Sequence, residues 1–303
     1  MPQGTQPDPQ INRWTAGDDP QCLELALTRI APDDRPRHVT VWHAALSEGR
    51  AALWKARRDN RVAATLLVEL AAGRVAHLQS PEIAVGEDEG LRGKLLKAAS
   101  HDLAAAGVRV VQSLQTVDHG AEVAALIEAG FRHTNDLLYL VSLRGQFPTE
   151  AVADSLEFVA YSEAQHQQLA EIVLRTYAES LDCPDLGNVR PIDEVLAGYR
   201  ATGIFDPARW LIVRDGDRDV GCLLLARHQG ESQMELIYLG IVPEARGRGL
   251  GIQLVQMAQR LAGEDGCQRV VTAVDAANQP AIAAYAAAGF VAWDRRSVYL
   301  RVL

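Results

Sequence analysis

Two apolar runs of period two, LLYLVSL at 137–143 and EFVAYS at 157–162, read as strands on either side of a polar stretch, RGQFPTEAVADS. That stretch predicts a linker, and the chain is expected to divide into residues 1–146 and 147–303. In the second part the pattern predicts a helix over 163–178, a polar loop SLDCPDLGNVRP and a helix near 192–201. The strands WLIV and VGCLLLAR follow, joined by RDGDRD, whose Asp215-Gly216 pair is a hairpin signal. A further strand, MELIYLGIV, runs into PEARGRGLGIQL, after which Leu250, Leu254, Met257, Ala258 and Leu261 recur at helical spacing. Strand RVVTAV, a helix from Gln279 to Ala288 closed by Gly289, and two strands, FVAW and VYLRVL, complete an α/β unit of about seven strands and four helices.

The first part repeats the second. Moving back 159 positions carries Gly289-Phe290 onto Gly130-Phe131 and Leu254-Val255 onto Leu95-Leu96, so two tandem copies of one fold are expected. The copies diverge at the glycine-rich stretch, where Arg246, Gly247, Arg248 and Gly251 become Glu87, Asp88, Glu89 and Arg92. A helix start attracts anions because its first backbone N–H groups lack intrahelical acceptors, and glycines let a ligand approach that backbone. A P-loop would need Lys-Ser or Lys-Thr after its last glycine, but Ile252 and Gln253 follow Gly251. A dinucleotide fingerprint would need glycine at position 252, which is isoleucine. What remains is Arg246-x-x-Gly249-x-Gly251 between a strand and a helix. The three carboxylates of the first copy would repel a pyrophosphate placed there.

Composition narrows the classes of function. With 303 residues, 48% of them hydrophobic, the chain can bury two cores. Cys22, Cys183, Cys222 and Cys267 are scattered with no CxxC, and the eight histidines show no metal-ligand spacing; reduced thiols and no metal are expected. A net charge of -9 argues against nucleic acid. No signal peptide or membrane segment is visible, and a cytoplasmic protein is expected. The oligomeric state is not legible, although a monomer is plausible if the two copies pair within the chain.

The stretch LGIVPEARGRGLG, the strand before it, and Asn278-x-x-Ala281-x-x-x-Tyr285-x-x-x-Gly289-Phe290 together resemble the GNAT superfamily of N-acetyltransferases. The layout of two copies, with Glu235 eight residues before Pro243, is similar to that of the mycothiol synthases. The resemblance implies two tandem acyl-CoA N-acyltransferase (GNAT) domains, each a mixed, mostly antiparallel sheet flanked by helices, with a degenerate N-terminal copy. It also implies acetyl-CoA as acyl donor, its pyrophosphate cradled by the backbone N–H groups of Arg246, Gly247, Arg248, Gly249, Leu250 and Gly251. The Ile241 N–H would face the thioester carbonyl, and Asn278 would contact the pantetheine or phosphate side. Glu235 would be the base and Tyr285 the acid in direct transfer to a small-molecule amine. In the first copy Asn278, Tyr285 and Glu235 become His119, Leu126 and Ala76. Other readings stand beside these: an ion pair between Glu235 and an arginine, a core aromatic at Tyr285, a helix cap at Asn278. An acceptor at a peptide or protein amino terminus and a non-catalytic acyl-CoA sensor or scaffold are the rival functions.

Overall fold

The computed structural model describes residues 9–15, 18–116, 120–149, 156–183 and 189–303. His119 and residues 150–155 of the expected linker lie outside the described residues. Two compact units emerge, one comprising the chain up to Thr134 together with Ser297–Leu303, the other Asn135–Arg296. The division expected at 146/147 therefore falls inside the second unit. The physical reason is a pair of strands, described below, whose ladders tie them to the other copy.

The first copy contains β1 (Gln10–Arg13), α1 (Gln21–Ala26), α2 (Arg35–Ser47), β2 (Ala51–Arg58), β3 (Arg61–Ala71), β4 (Val75–Leu78), β5 (Glu82–Ile83), α3 (Leu91–Ala105), β6 (Val110–Gln115), α4 (Gly120–Glu128) and β7 (Arg132–Leu143). The second contains β8 (Glu157–Ala160), α5 (His166–Tyr177), α6 (Ile192–Ala201), β9 (Trp210–Asp215), β10 (Arg218–Arg227), β11 (Gln233–Ile241), α7 (Leu250–Glu264), β12 (Arg269–Asp275), α8 (Gln279–Ala287) and β13 (Val291–Val302). The pairs α3/α7, α4/α8 and β7/β13 start 159 residues apart and have equal lengths, so the repeat read from the sequence is a repeat of structure.

In the first unit the strand order is β1-β2-β3-β4-β6, followed by residues 297–302 of β13, which pair antiparallel with β6 from Ser297↔Gln115 to Val302↔Val110. In the second, residues 137–143 of β7 pair antiparallel with β12, from Leu137↔Asp275 to Leu143↔Arg269, and β11, β10, β9 and β8 continue outward. Each unit is thus closed by the last strand of the other copy. FVAW and VYLRVL are not two strands but parts of one, since Asp294, Arg295, Arg296 and Ser297 continue the extended backbone between them. In each unit the strand pairing is mixed and mostly antiparallel, with β4–β6 and β11–β12 the parallel pairs.

Sequence pattern explains the packing in the second unit. Residues of one parity on β11 and β12, Met234, Leu236, Val270 and Val274, meet Val255, Ala258 and Ala262 of α7 and Tyr285 of α8 in one core cluster. On the opposite face Leu169, Ile172 and Val173 of α5 and Leu196 of α6 pack against Ile212, Cys222 and Leu224. Among the described residues no helix is long and apolar enough to cross a membrane.

Candidate active site

Strands β11 and β12 pair only from Gln233↔Arg269 to Glu235↔Val271, although β11 runs on to Ile241 and β12 to Asp275. It is β11 that departs from β12, because it remains paired with β10 as far as Ile241↔Gly221. A register shift between Leu224 and Leu225 leaves Ile237 as an extra residue on β11, the kind of bulge that bends a strand. Gly240 permits the close seating of α5 beneath it: a Cβ there would stand 2.6 Å from Thr176 Oγ1. The split strands open a cavity of about 690 Å³, within the range of small-molecule sites.

Each wall of the cavity has its own polar character. The Val242 N–H donates to Val220 O at 3.0 Å on β10, so the N–H of Ile241, one residue back, points to the opposite edge and into the split. Thr272 Oγ1 donates to Leu236 O at 2.9 Å where the strands part. The glycine segment closes one end. Its Arg246 guanidinium is turned inward, donating to Ile241 O at 3.0 Å, Glu179 O at 3.1 Å and Thr176 O at 2.9 Å, so this side chain braces the loop. Arg248 pairs with Asp215 at 2.6 Å. Gly249 is the N-cap of α7 with φ of 75° and no side-chain cap, which leaves the first-turn N–H groups open to an outside acceptor. A Cβ at Gly247 or Gly249 would meet nothing within 4 Å, so the approach to this backbone is clear.

Asn278, the N-cap of α8, and Ala281 and Tyr285 within it line the same cavity. Asn278 Oδ1 accepts from the Ala281 N–H at 3.2 Å, so the helix cap anticipated for it is formed. Tyr285 is 7% exposed, and its ring lies 5.3 Å from that of Phe290. Burial pushes its phenol well above the usual range, against a hydrogen bond with Thr272 that acts the other way. Asp182, exposed into the cavity, accepts the Asp275 N–H at 2.9 Å, and Asp275 Oδ2 accepts the Cys183 N–H at 3.2 Å. Desolvation raises the Asp182 carboxyl above its ordinary value, and Asp275 adds its charge to the effect while its N–H opposes it.

Glu235 is placed differently. Its neighbours Met234 and Leu236 face α7 and α8, so alternation sets Glu235 on the opposite face of the sheet, outside the residues that line the cavity. There His228 Nε2 meets Glu235 Oε2 at 2.6 Å. The structure thus gathers Ile241, Arg246, Gly247, Gly249, Leu250, Gly251, Asn278 and Tyr285 around one cavity, leaves Arg248 outside its lining, and pairs Glu235 with a histidine rather than an arginine. Thr272, Asp182 and His228 were not singled out from sequence; only Asp182 carried a signal, through its place in the polar loop SLDCPDLG. Cys222 is fully buried and its thiol is pushed up to about 12 by burial. Burial, and then the charges of Asp182 and Asp275, also push Cys183 up to about 12, so both keep their protons at neutral pH and are poor nucleophiles.

In the first unit charged side chains stand at the equivalent positions. Arg92, 9% exposed and equivalent to Gly251, reaches Pro81 O and lies 2.7 Å from Glu89 and 4.0 Å from Glu122. Glu122, equivalent to Ala281, also takes Arg29 at 2.5 Å. Burial would raise the Glu122 carboxyl, but Arg29 outweighs it and holds the group below the ordinary glutamate range. Asp88 Oδ1 accepts the Gly90 N–H at 2.9 Å, occupying a donor next to the start of α3.

Comparison with known proteins agrees with this geometry. Residues 166–290 match the model of the Acetyltransferase (GNAT) family. A mycothiol acetyltransferase of Arthrobacter sp. (strain FB24) is 30% identical over 201 residues, 63% of this chain and 61% of that protein, so the chain spans less than two thirds of the relative's length. A GCN5-related N-acetyltransferase from Sphaerobacter thermophilus superposes with a TM-score of 0.66 at 17% identity, covering 98% of this chain and 97% of that one. A tandem GNAT protein from the clavulanic acid biosynthesis pathway gives 0.53 at 16% identity, covering 97% and 98%. At these identities the two structures show the fold alone, and the similarity to the acetyltransferase (GNAT) family model lies over residues 166–290, within the second unit.

Proposed function

We propose that the second unit is an acetyl-CoA-dependent N-acetyltransferase that acetylates the amine of a small molecule while both substrates are bound. The observation that carries the reading is the cavity at the β11–β12 split, closed at one end by an uncapped, glycine-rich helix start. Coenzyme A fits these residues. The N–H groups between Arg246 and Gly251 offer donors with no side chain in front of them, the arrangement that suits a pyrophosphate. The Ile241 N–H lies further along the same split, where a carbonyl oxygen can accept it. Bound acetyl-CoA supplies a carbonyl activated toward amines and a thiolate leaving group.

The chain's own groups then have distinct tasks. Glu235, backed by His228, takes the proton that an amine must lose, because an alkylammonium of pKa about 10.4 is only about one part in a thousand neutral at pH 7. The Ile241 N–H stabilises charge growing on the carbonyl oxygen as the C–N bond forms. As the C–S bond breaks, the Tyr285 hydroxyl gives its proton to sulfur. The cavity reaches Ala273, on the Glu235 face of the sheet, so an amine activated there can meet an acyl group held in the split. That the similar Arthrobacter protein is a mycothiol acetyltransferase supports a small-molecule acceptor over a peptide.

The test is thiol release from acetyl-CoA by the purified chain against a panel of small amines and peptides. Turnover with a small amine supports the reading, and acetyl-CoA binding without turnover on any acceptor favours the sensor. The first unit is expected to take no coenzyme A, because Arg92 and Glu122, with Arg29 paired to Glu122, stand at the positions where Gly251 and Ala281 line the cavity of the second unit. Titration calorimetry should therefore give one site per chain, and two tight sites would overturn the assignment of a degenerate copy.

A further inference from the structure

The acceptor side of the sheet has a shape of its own. Leu138 and Leu140 of β7 pack toward α7 and α8, so Tyr139 and Val141 face the other way, as do Val271 and Ala273 of β12 and Glu235 of β11. The registers Tyr139↔Ala273, Val141↔Val271 and Val271↔Glu235 set these residues in two adjacent rungs of one face. Tyr139 and Glu235 are two strands and two residues apart, which places their Cα atoms about 12 Å from each other. On β12, between them, stand Val271 and the exposed Ala273, and Ala273 also lines the cavity. On the Tyr139 side, the Trp293 ring meets Tyr139 edge-on with centroids 5.8 Å apart and remains 61% exposed. Beyond Glu235 stands His228. The result is a trough with an aromatic wall, a carboxylate wall and a small-residue floor that opens into the split.

A single exposed tryptophan is ordinary on a protein surface. Here it is seated against a second ring, one trough-width from the only carboxylate that the proposed chemistry needs. Rings with an apolar face stack on tryptophan, and an ammonium is drawn both to Glu235 and to the negative faces of Tyr139 and Trp293. We infer that Trp293 and Tyr139 form the acceptor subsite and select a primary amine borne on a ring, with the ring face against Trp293 and the ammonium at Glu235. The inference rests on the transferase reading of this unit. An extended peptide gains little from a platform one ring wide.

The experiment compares 2-phenylethylamine and glucosamine, ring amines with aromatic and saturated faces, with butylamine as the ringless control. Thiol release is measured with the wild-type chain, Trp293→Ala and Trp293→Phe, and saturation-transfer NMR reports amine contact without requiring turnover. Trp293→Ala is expected to raise KM for the preferred ring amine about fivefold to tenfold relative to butylamine, with acetyl-CoA affinity unchanged and Trp293→Phe restoring most of the loss. The two ring amines show whether the preferred face is aromatic or saturated. Equal losses on ring and ringless amines, or no change in KM, would overturn the platform while leaving the transferase reading intact. Ring-amine saturation transfer that Trp293→Ala abolishes, with no turnover on any amine, would uphold the platform and sink the transferase reading.

Discussion

Tyr285→Phe is expected to lower kcat about a hundredfold while acetyl-CoA affinity changes less than twofold. The phenol sits in the cavity wall against Thr272, and burial keeps its proton in place through neutral pH, so it is a donor rather than a base. Removing one well-placed general acid costs about 10²–10⁴ in rate. Phenylalanine keeps the ring that packs on Phe290 and leaves the Thr272 bond to Leu236 O intact, so the fold and the donor site persist. The loss should appear in kcat and hardly in the Kd for acetyl-CoA, because the hydroxyl acts only as the sulfur leaves. It should also change the response to the leaving group: an acyl donor whose thiol is more acidic needs less protonation, and the variant should recover part of its rate with such a thioester. A drop in kcat of less than threefold would return Tyr285 to the role of a core aromatic. Burial raises this phenol's pKa, so the wild-type enzyme should show no loss of activity attributable to it on going from pH 7 to pH 9.

Of the residues singled out from sequence, Ile241, Arg246, Gly247, Gly249, Leu250, Gly251, Asn278 and Tyr285 line the cavity, whereas Glu235 and Arg248 do not. The offset of 159 residues was legible because α3 and α7, and α4 and α8, carry their apolar positions in the same phase, and the structure places them at that offset. The glycine segment was legible because glycine before an apolar helical pattern with no capping side chain is a local feature. The exchange of β7 and β13 left no local mark. Pairing Leu138 and Leu140 with β12 or with β6 buries the same alternate residues, so a period-two pattern cannot distinguish its own copy from the other. The charged cluster of Arg29, Arg92 and Glu122 in the first unit was half visible. Arg92 stood out as the replacement of Gly251, but its companion Arg29 lies in a segment, ahead of α2, that shows no repeat relation to the second copy. His228 was overlooked because the β10–β11 hairpin, and not any motif, brings it back to Glu235.

The exchange has a consequence that cutting the chain exposes. Separated fragments 1–146 and 147–303 are each expected to be insoluble or unfolded, although the cut falls outside every helix and strand. The fragment 147–303 loses residues 137–143 of β7, a ladder of seven paired residues along β12, and with it Leu140, which is 4% exposed in the core against α7 and α8. The fragment 1–146 loses residues 297–302, which complete the ladder on β6 and bring in the buried Val298, Tyr299 and Leu300. Each loss opens a sheet edge beside an apolar core and removes several buried side chains, each contributing about 1.5–3 kcal/mol, from domains whose whole stability is about 5–15 kcal/mol. Coexpression of the two fragments should restore solubility and thiol release, since each then finds the strand it lacks. A fragment covering residues 135–296 keeps the β7–β12 ladder and is expected to melt cooperatively by circular dichroism where 147–303 does not. Cooperative folding of 147–303 alone would mean that β12 can be closed without β7, and the strand exchange would then be dispensable to the unit that carries the proposed chemistry.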